Sequence, residues 1–361
     1  MIDQFDFAIV GAGIAGASLA AGLARQGRVV LLEAEDRPGY HSTGRSAAFW
    51  TESYGGPQVQ PLTTASGPFL HQHGFLAPRG ALTLARSSEL AALADFAAEF
   101  RALGVRVDDL DRDALLQRLP GLRDEWVAGA YEPDCCDIDV AGLHQHWLAV
   151  GRQAGADLWT RAQLIEGTRG AGQWQLRLSD GRRLAAKVLI NAAGAWADSV
   201  AQMCGVRPLG IQPYRRTVAQ LQLAKGPPAD LPLVLGIDGL FYFKPEAGRL
   251  WLSPHDETPT PPCDAAAEEL DVALAIDRFE RVVDWPVNRI EHRWAGLRSF
   301  ARDRLPVYGF DPRADGFFWF AGQGGFGIQT APAAADLACG LLLGNPAGPV
   351  DPQPYDPKRF Y

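Results

Sequence analysis

The hydrophobic pattern opens with an apolar run at residues 5–10, interrupted by Asp6 alone, which predicts a strand. Gly11-Ala12-Gly13-Ile14-Ala15-Gly16 follows, then a helical pattern through Ala20, Leu23 and Gly27, then a second apolar run at 29–32 that stops at Glu33. Next comes a loop rich in Ser, Thr, Gly and Arg through about residue 57. The pattern further predicts a helix over 87–103, a turn and short strand over 121–131, and a helix from Val140 to about Gln153 behind the N-cap Asp139. Strands are expected at 159–165, 173–178 and 186–190, the last emptying into the small-residue turn Asn191-Ala192-Ala193-Gly194-Ala195-Trp196. Alternating apolar residues and prolines over 211–252 predict an antiparallel sheet, and 264–283 reads as one amphipathic helix. A strand over 316–321 then runs into Gly322-Gln323-Gly324-Gly325-Phe326-Gly327-Ile328-Gln329-Thr330, and residues 327–330 are expected to open a last helix reaching 343.

The first unit is strand, glycine turn, helix, strand, acid. That order lays a dinucleotide pyrophosphate on a helix N-terminus and offers a ribose a carboxylate. Gly11 permits the tight turn, Gly13 admits the diphosphate to bare backbone, and Gly16 lets helix and strand approach closely. Glu33 lies 22 residues beyond Gly11, near the ~20-residue spacing of a ribose-binding acid. The bland alternative is a glycine-rich turn in an ordinary doubly wound sheet.

Composition narrows the class. A chain of 361 residues exceeds what one core serves, so two interlocked units are expected. A net charge of −8 argues against a nucleic-acid face, and no apolar run is long enough to span a membrane. The first strand begins so early that no signal peptide is expected, and five cysteines, an odd number, suit a reducing, cytoplasmic compartment. Cys135-Cys136 reads as packed thiols or a redox pair, with packing favoured because neither C-x-x-C nor a metal spacing occurs. The H-x-H pairs His71/His73 and His144/His146 suggest no metal site, since residues two apart on a helix point in different directions.

The glycine and small-residue segments sit at the start, middle and end of the chain. A nicotinamide dehydrogenase usually keeps its dinucleotide unit contiguous, so three separated segments point to flavin. The fold expected is α/β: a Rossmann-like FAD unit (1–75, 140–205 and 300–361) interlocked with an α+β substrate unit on a mixed or antiparallel sheet (76–139 and 206–299).

On these segments, and on Gly39-Tyr40-His41-Ser42-Thr43-Gly44-Arg45-Ser46-Ala47-Ala48 and Trp294-Ala295-Gly296-Leu297-Arg298-Ser299-Phe300, the chain resembles the FAD-dependent D-amino acid oxidoreductases. That family includes glycine and sarcosine oxidases, and within it the likeness is greatest to bacterial D-arginine dehydrogenases. The resemblance implies non-covalent FAD held by Gly11, Gly13, Ile14, Ala15, Gly16, Glu33 and Ala34, and by His41, Ser42, Thr43, Arg45, Ser46 and Ala47. It adds Leu164, Ala192, Ala193, Gly194, Trp196, Arg298, Gly324, Gly325, Phe326, Gly327, Ile328, Gln329 and Thr330. His41 contacts the cofactor or is linked to it, contact being favoured. Arg216 and Arg298 match the arginines that hold the substrate carboxylate, with Arg215 a rival for Arg216. Tyr54 and Tyr242 match pocket tyrosines, Ser46 and Ala47 the loop beside the flavin, and Gly325 a carbonyl that receives the substrate amine.

The chemistry is consistent with that assignment. A guanidinium grips a carboxylate through two parallel bonds, which fixes the α-carbon for hydride transfer to flavin N5. The N-terminal dipole of the helix that residues 327–330 open would favour negative charge on the reduced ring. Two departures bear on substrate. Phe49 stands where the arginine enzymes have histidine, and Pro78-Arg79-Gly80-Ala81-Leu82-Thr83-Leu84 lacks the acid that pairs with a cationic tail. A guanidinium tail buried without a counter-charge costs several kcal/mol. The expectation is oxidative deamination of D-amino acids with neutral, apolar or aromatic side chains preferred over D-Arg. A quinone or an electron-transfer partner would accept the electrons. The rival readings are a secondary-amine oxidase, a 2-hydroxy acid dehydrogenase, or a non-catalytic flavin-binding subunit.

Overall fold

In the computed structural model, which describes residues 2–345 and 348–361, two large sheets and a three-stranded one organise the chain. The first, eight-stranded, is built on Asp3–Val10, which pairs in parallel with Val29–Leu32 on one side and Arg183–Asn191 on the other. Of the last six residues of Asp3–Val10 all but Asp6 are buried, as the apolar run requires. Helix Ile14–Leu23 is buried nearly all round because it packs between helices Val140–Gln153 and Ala331–Leu342.

Strand Arg183–Asn191 forks the sheet. Away from Asp3–Val10 it pairs first with Gln173–Leu178 and then, at Leu189–Asn191, with Phe317–Ala321. The expected strand over 159–165 is two strands, Asp157–Trp159 and Leu164–Gly170, which stand at opposite ends of the pairing order. Four linking residues reach only ~14 Å, so the antiparallel meander must fold back across the parallel strands. Arg161, at φ 50°, makes the corner.

The second sheet is mixed. Its long central pair, Gln212–Leu223 and Val287–Phe300, is antiparallel from Gln212↔Phe300 onward, while Leu233–Gly236 runs parallel to Ala81–Arg86. The expected helix over 264–283 shortens to Glu269–Glu280. Residues before it stay extended because Arg45 takes the Ala265 carbonyl and the Asp264 carboxylate, so those groups are committed outside a helix. The last helix starts at Ala331 rather than at 327, and the residues before Thr330 form a turn.

Several elements were not foreseen, among them helix Arg112–Arg118 and strands Ala81–Arg86 and Val287–Phe300. Helix Gln60–Gln72 contains Pro61 and Pro68, which hide it from a propensity reading; packing against Ala331–Leu342 and a bond from the Ala333 amide to Ser66 Oγ (3.1 Å) hold it. Strands Phe49–Trp50, Cys136–Ile138 and Leu76–Pro78 form the small third sheet. Among the described residues, no helix is long and apolar enough to cross a membrane.

Candidate active site

One cavity of about 400 Å³ runs between the ends of the parallel strands and one face of the second sheet. Its first end is built from backbone. Gly11 turns at φ +101°, and a Cβ there would stand 2.5 Å from the Ala192 carbonyl oxygen. Gly16 does not line the cavity; a Cβ on it would run into the Gly11 carbonyl, so it serves helix–strand contact. Gly13, Ile14, Ala15, Ala192, Ala193 and Gly194 all line the cavity, with the N-terminus of Ile14–Leu23 opening onto it. Thr43 Oγ1 accepts from the Ile14 amide at 3.0 Å and ties the second glycine-rich loop to the first.

Glu33 is buried at this end, its carboxylate fixed by the amides of Ala12 and Glu35, both at 3.0 Å. Ala34 and Leu164 lie beside it, and the Ala162 amide donates to the Glu33 carbonyl. His41 lines the same region. Its Nε2 meets Glu35 at 2.9 Å, its ring lies 4.6 Å from Trp196, and its Nδ1 is buried without a partner. A dinucleotide fits this arrangement: bare backbone for a diphosphate, an oriented carboxylate for a ribose, and an unsatisfied ring nitrogen beside them.

Ser42, Thr43, Arg45, Ser46 and Ala47 line the middle and stitch this end to the second sheet. Ser42 Oγ donates to the Leu297 carbonyl at 2.7 Å, Arg45 to the Ala265 and Ala295 carbonyls at 2.7 and 3.2 Å, and Trp294 Nε1 returns a bond to the Arg45 carbonyl at 3.0 Å.

The far end is built from side chains. Tyr214 pairs with Arg298 and Arg216 with Gly296, so Arg216 and Arg298 are diagonal neighbours on one face of the sheet, above a glycine that leaves room between them. Val218 and Tyr242 line the same face. Arg216 is 4 % exposed; Nη2 donates to Glu257 at 3.1 Å, while Nε and Nη1 are buried without partners. Burial, and secondly the positive charge of Arg298, lower its pKa to about 10. Two adjacent guanidinium groups, one of them with two buried unsatisfied donors, form a site for an anion. Arg215 points elsewhere and is held by Glu268 and Asp271.

Arg298 Nη1 donates to the Tyr54 hydroxyl, and Gly325 lies directly beside this pair. Gly324, Gly325, Gly327 and Ile328 line the cavity, whereas Phe326, Gln329 and Thr330 do not. Phe326 packs with Val59 and Phe300, Gln329 binds the Tyr54 loop, and Thr330 Oγ1 donates to the Phe326 carbonyl. Tyr54 and Phe49 also stand just outside: the Phe49 ring is 5.4 Å from Tyr54 and 6.2 Å from Tyr242, in a cluster with Leu233 and Cys135. Among the described residues, Glu33 and Glu35 are the only carboxylates lining the cavity, and both lie at the first end.

Sequence reasoning overlooked several groups. His144 donates from Nε2 to the Ala12 carbonyl at 2.9 Å and so braces the glycine turn; burial lowers its pKa. Glu35, Glu257 and Glu132 lie outside every motif and are found through their partners alone. All five cysteines are free, Cys135 and Cys136 buried, and burial pushes the Cys135 thiol well up. Among the described residues, no group of three or more potential ligands gathers for a metal.

Comparison with known proteins is consistent with this geometry. The family profile described as DAO, FAD dependent oxidoreductase, matches residues 6–341. FAD-dependent oxidoreductase domain-containing protein 1 of Bos taurus is 23% identical over 99% of this chain and 85% of its own length. Glycine oxidase of Geobacillus kaustophilus is 26% identical over 95% of this chain and 94% of its own. The crystal structure of L-proline dehydrogenase from P. horikoshii superposes with a TM-score of 0.88 and 19% identity, covering 100% of this chain and 98% of that one.

Proposed function

The chain belongs to the DAO family of FAD-dependent oxidoreductases, and from that premise we propose that it oxidises the α-carbon of D-amino acids with neutral side chains. The imino acid formed is hydrolysed to a 2-oxo acid and ammonia. The observation that carries this reading is the pair Arg216 and Arg298, side by side on the cavity face, with Nε and Nη1 of Arg216 buried and unsatisfied. Bound FAD supplies the two-electron acceptor for the α-hydrogen.

In this reading the residues that would hold the cofactor are the glycine turn, Glu33, the 41–47 loop and the 192–194 turn. Arg298 and Arg216 grip the carboxylate, which fixes the α-carbon and turns its hydrogen in a single direction. Tyr54 holds Arg298 from outside, and the Gly325 carbonyl accepts from the amine. Closure by Tyr242, Tyr54 and Phe49 keeps bulk water from the α-carbon. No cavity carboxylate stands at this end to receive a cationic tail, which supports the preference for neutral side chains over D-Arg. The two-unit division follows the sheets: the strands of the first fall within 1–75, 140–205 and 300–361, and most of the second within 76–139 and 206–299.

A kcat/KM panel with ammonia detection tests the proposal. Neutral D-amino acids are expected to lead; the highest value on D-Arg would contradict it. A second reading, secondary-amine oxidation, is supported by the full-length structural likeness to an L-proline dehydrogenase, proline being a secondary amine. Release of methylamine from N-methylglycine at the highest kcat/KM would establish it instead.

A further inference from the structure

Glu132, at the end of strand Trp126–Glu132, is 5 % exposed, and burial raises its pKa. Among the described residues no cation lies within ion-pair distance of it. A carboxylate held inside a protein without a cation is costly, and packing alone would be served by an apolar residue. Among the described residues, the partners of its carboxylate all lie on one short loop. Thr51 Oγ1 donates to Oε2 at 2.9 Å, the Ser53 amide reaches the same oxygen at 3.4 Å, and Ser53 Oγ donates to Oε1.

The next residue of that loop is Tyr54, whose hydroxyl receives the Arg298 bond. Beyond it the chain turns through Gly55 and Gly56, at φ +105° and +83°, so the loop has no regular structure of its own to hold its place. Gln329 supports the other side, donating to the Tyr54 carbonyl at 3.1 Å and to Thr63 Oγ1 at 2.9 Å. Glu132 thus ties the loop to the second sheet, the sheet that carries Arg298 and Arg216, while Gln329 ties it to the turn lining the cofactor end.

We propose that Glu132 is a positioning residue for the carboxylate site: it anchors Thr51 and Ser53 so that Tyr54 holds Arg298 in the orientation that grips an anion. This rests on the reading of Arg298 and Arg216 as carboxylate ligands. Its energy comes from the hydrogen bonds that an acceptor at 132 receives, charge-assisted with the carboxylate and neutral with an amide.

The test uses FAD-loaded protein and acetate as probe, with acetate Kd read from perturbation of the flavin visible spectrum alongside FAD occupancy and Tm. Glu132→Ala is expected to raise acetate Kd roughly tenfold and Ser53→Ala by about two- to fivefold, with FAD occupancy full. Glu132→Gln, which keeps an acceptor, should return acetate Kd to within about threefold of the unmodified protein. A fall in Tm with acetate Kd unchanged would overturn the anchor and leave Glu132 a structural residue. Should Glu132→Ala fail to fold, Ser53→Ala decides on the same reading. No acetate shift in the unmodified protein would overturn the carboxylate site and the anchor together. Acetate binding that follows the expected pattern, with no amino acid reducing the flavin, would sustain the anchor and defeat the substrate reading.

Discussion

The two ends of the cavity are made of different material. The cofactor end is backbone and small side chains: the turns at Gly11 and Ala192–Gly194 leave the room. The substrate end is side chain: Arg216, Arg298 and Tyr242 on three strands, with Tyr54 brought in by a loop. At the first end an atom added at Gly11 collides with the Ala192 carbonyl. At the second, each side chain depends on partners that hold it, so losses are graded. A dinucleotide fold is bound by absence of atoms; a small substrate is bound by donors held in place.

The largest expected effect breaks the first end. Gly11→Val puts atoms 2.5 Å or less from the Ala192 carbonyl in a backbone conformation valine rarely adopts, and the purified protein should lack flavin absorption. Arg298→Ala breaks the second end alone. It should lower kcat/KM roughly 10²–10³-fold, as truncation of one partner of a hydrogen-bonded charge pair does, with FAD retained. Loss of flavin in that variant would place Arg298 with the cofactor end. Arg216→Met is expected to cost about tenfold in KM, since Arg298 still grips the carboxylate and the lost donors are worth about 1.5–3 kcal/mol at most.

The smallest effect is a pH dependence at the glycine turn. Burial depresses the His144 pKa below its ordinary 6.5, so the unfolded chain takes that proton first. Stability from this group is complete above pH 6.5 and falls as pH drops from there toward the folded pKa. His144→Gln keeps a donor for the Ala12 carbonyl without titrating, so its Tm between pH 7 and 5 should fall by roughly 1–3 °C less than that of the unmodified protein. Parallel curves would show that His144 does not titrate in this range.

The same contrast explains what was legible in the sequence. Strand, turn, helix and acid over residues 5–33 follow one another in sequence, and Gly16 answers the nearby Gly11 carbonyl, although Gly11 itself faces the distant Ala192. The helix Val140–Gln153 was legible for the same reason, its Asp139 cap bonding the Gly142 amide at 2.8 Å. Residues 264–268 look helical by composition but are diverted by Arg45, over two hundred positions away. Helix Gln60–Gln72 is concealed by its prolines and sustained by a distant helix. Glu132 carries no local signal, because its meaning lies in Thr51 and Ser53, about eighty residues earlier.

The central claim is that the arginine pair reads an α-carboxylate and thereby presents the α-carbon. Anaerobic flavin bleaching by D-alanine and by ethylamine, which differs in lacking the carboxylate, tests it most directly. The account predicts full bleaching by D-alanine and none by ethylamine at equal concentration. Equal bleaching by both would show that Arg216 and Arg298 do not select the substrate, and bleaching by neither would contradict amino-acid oxidation at this site.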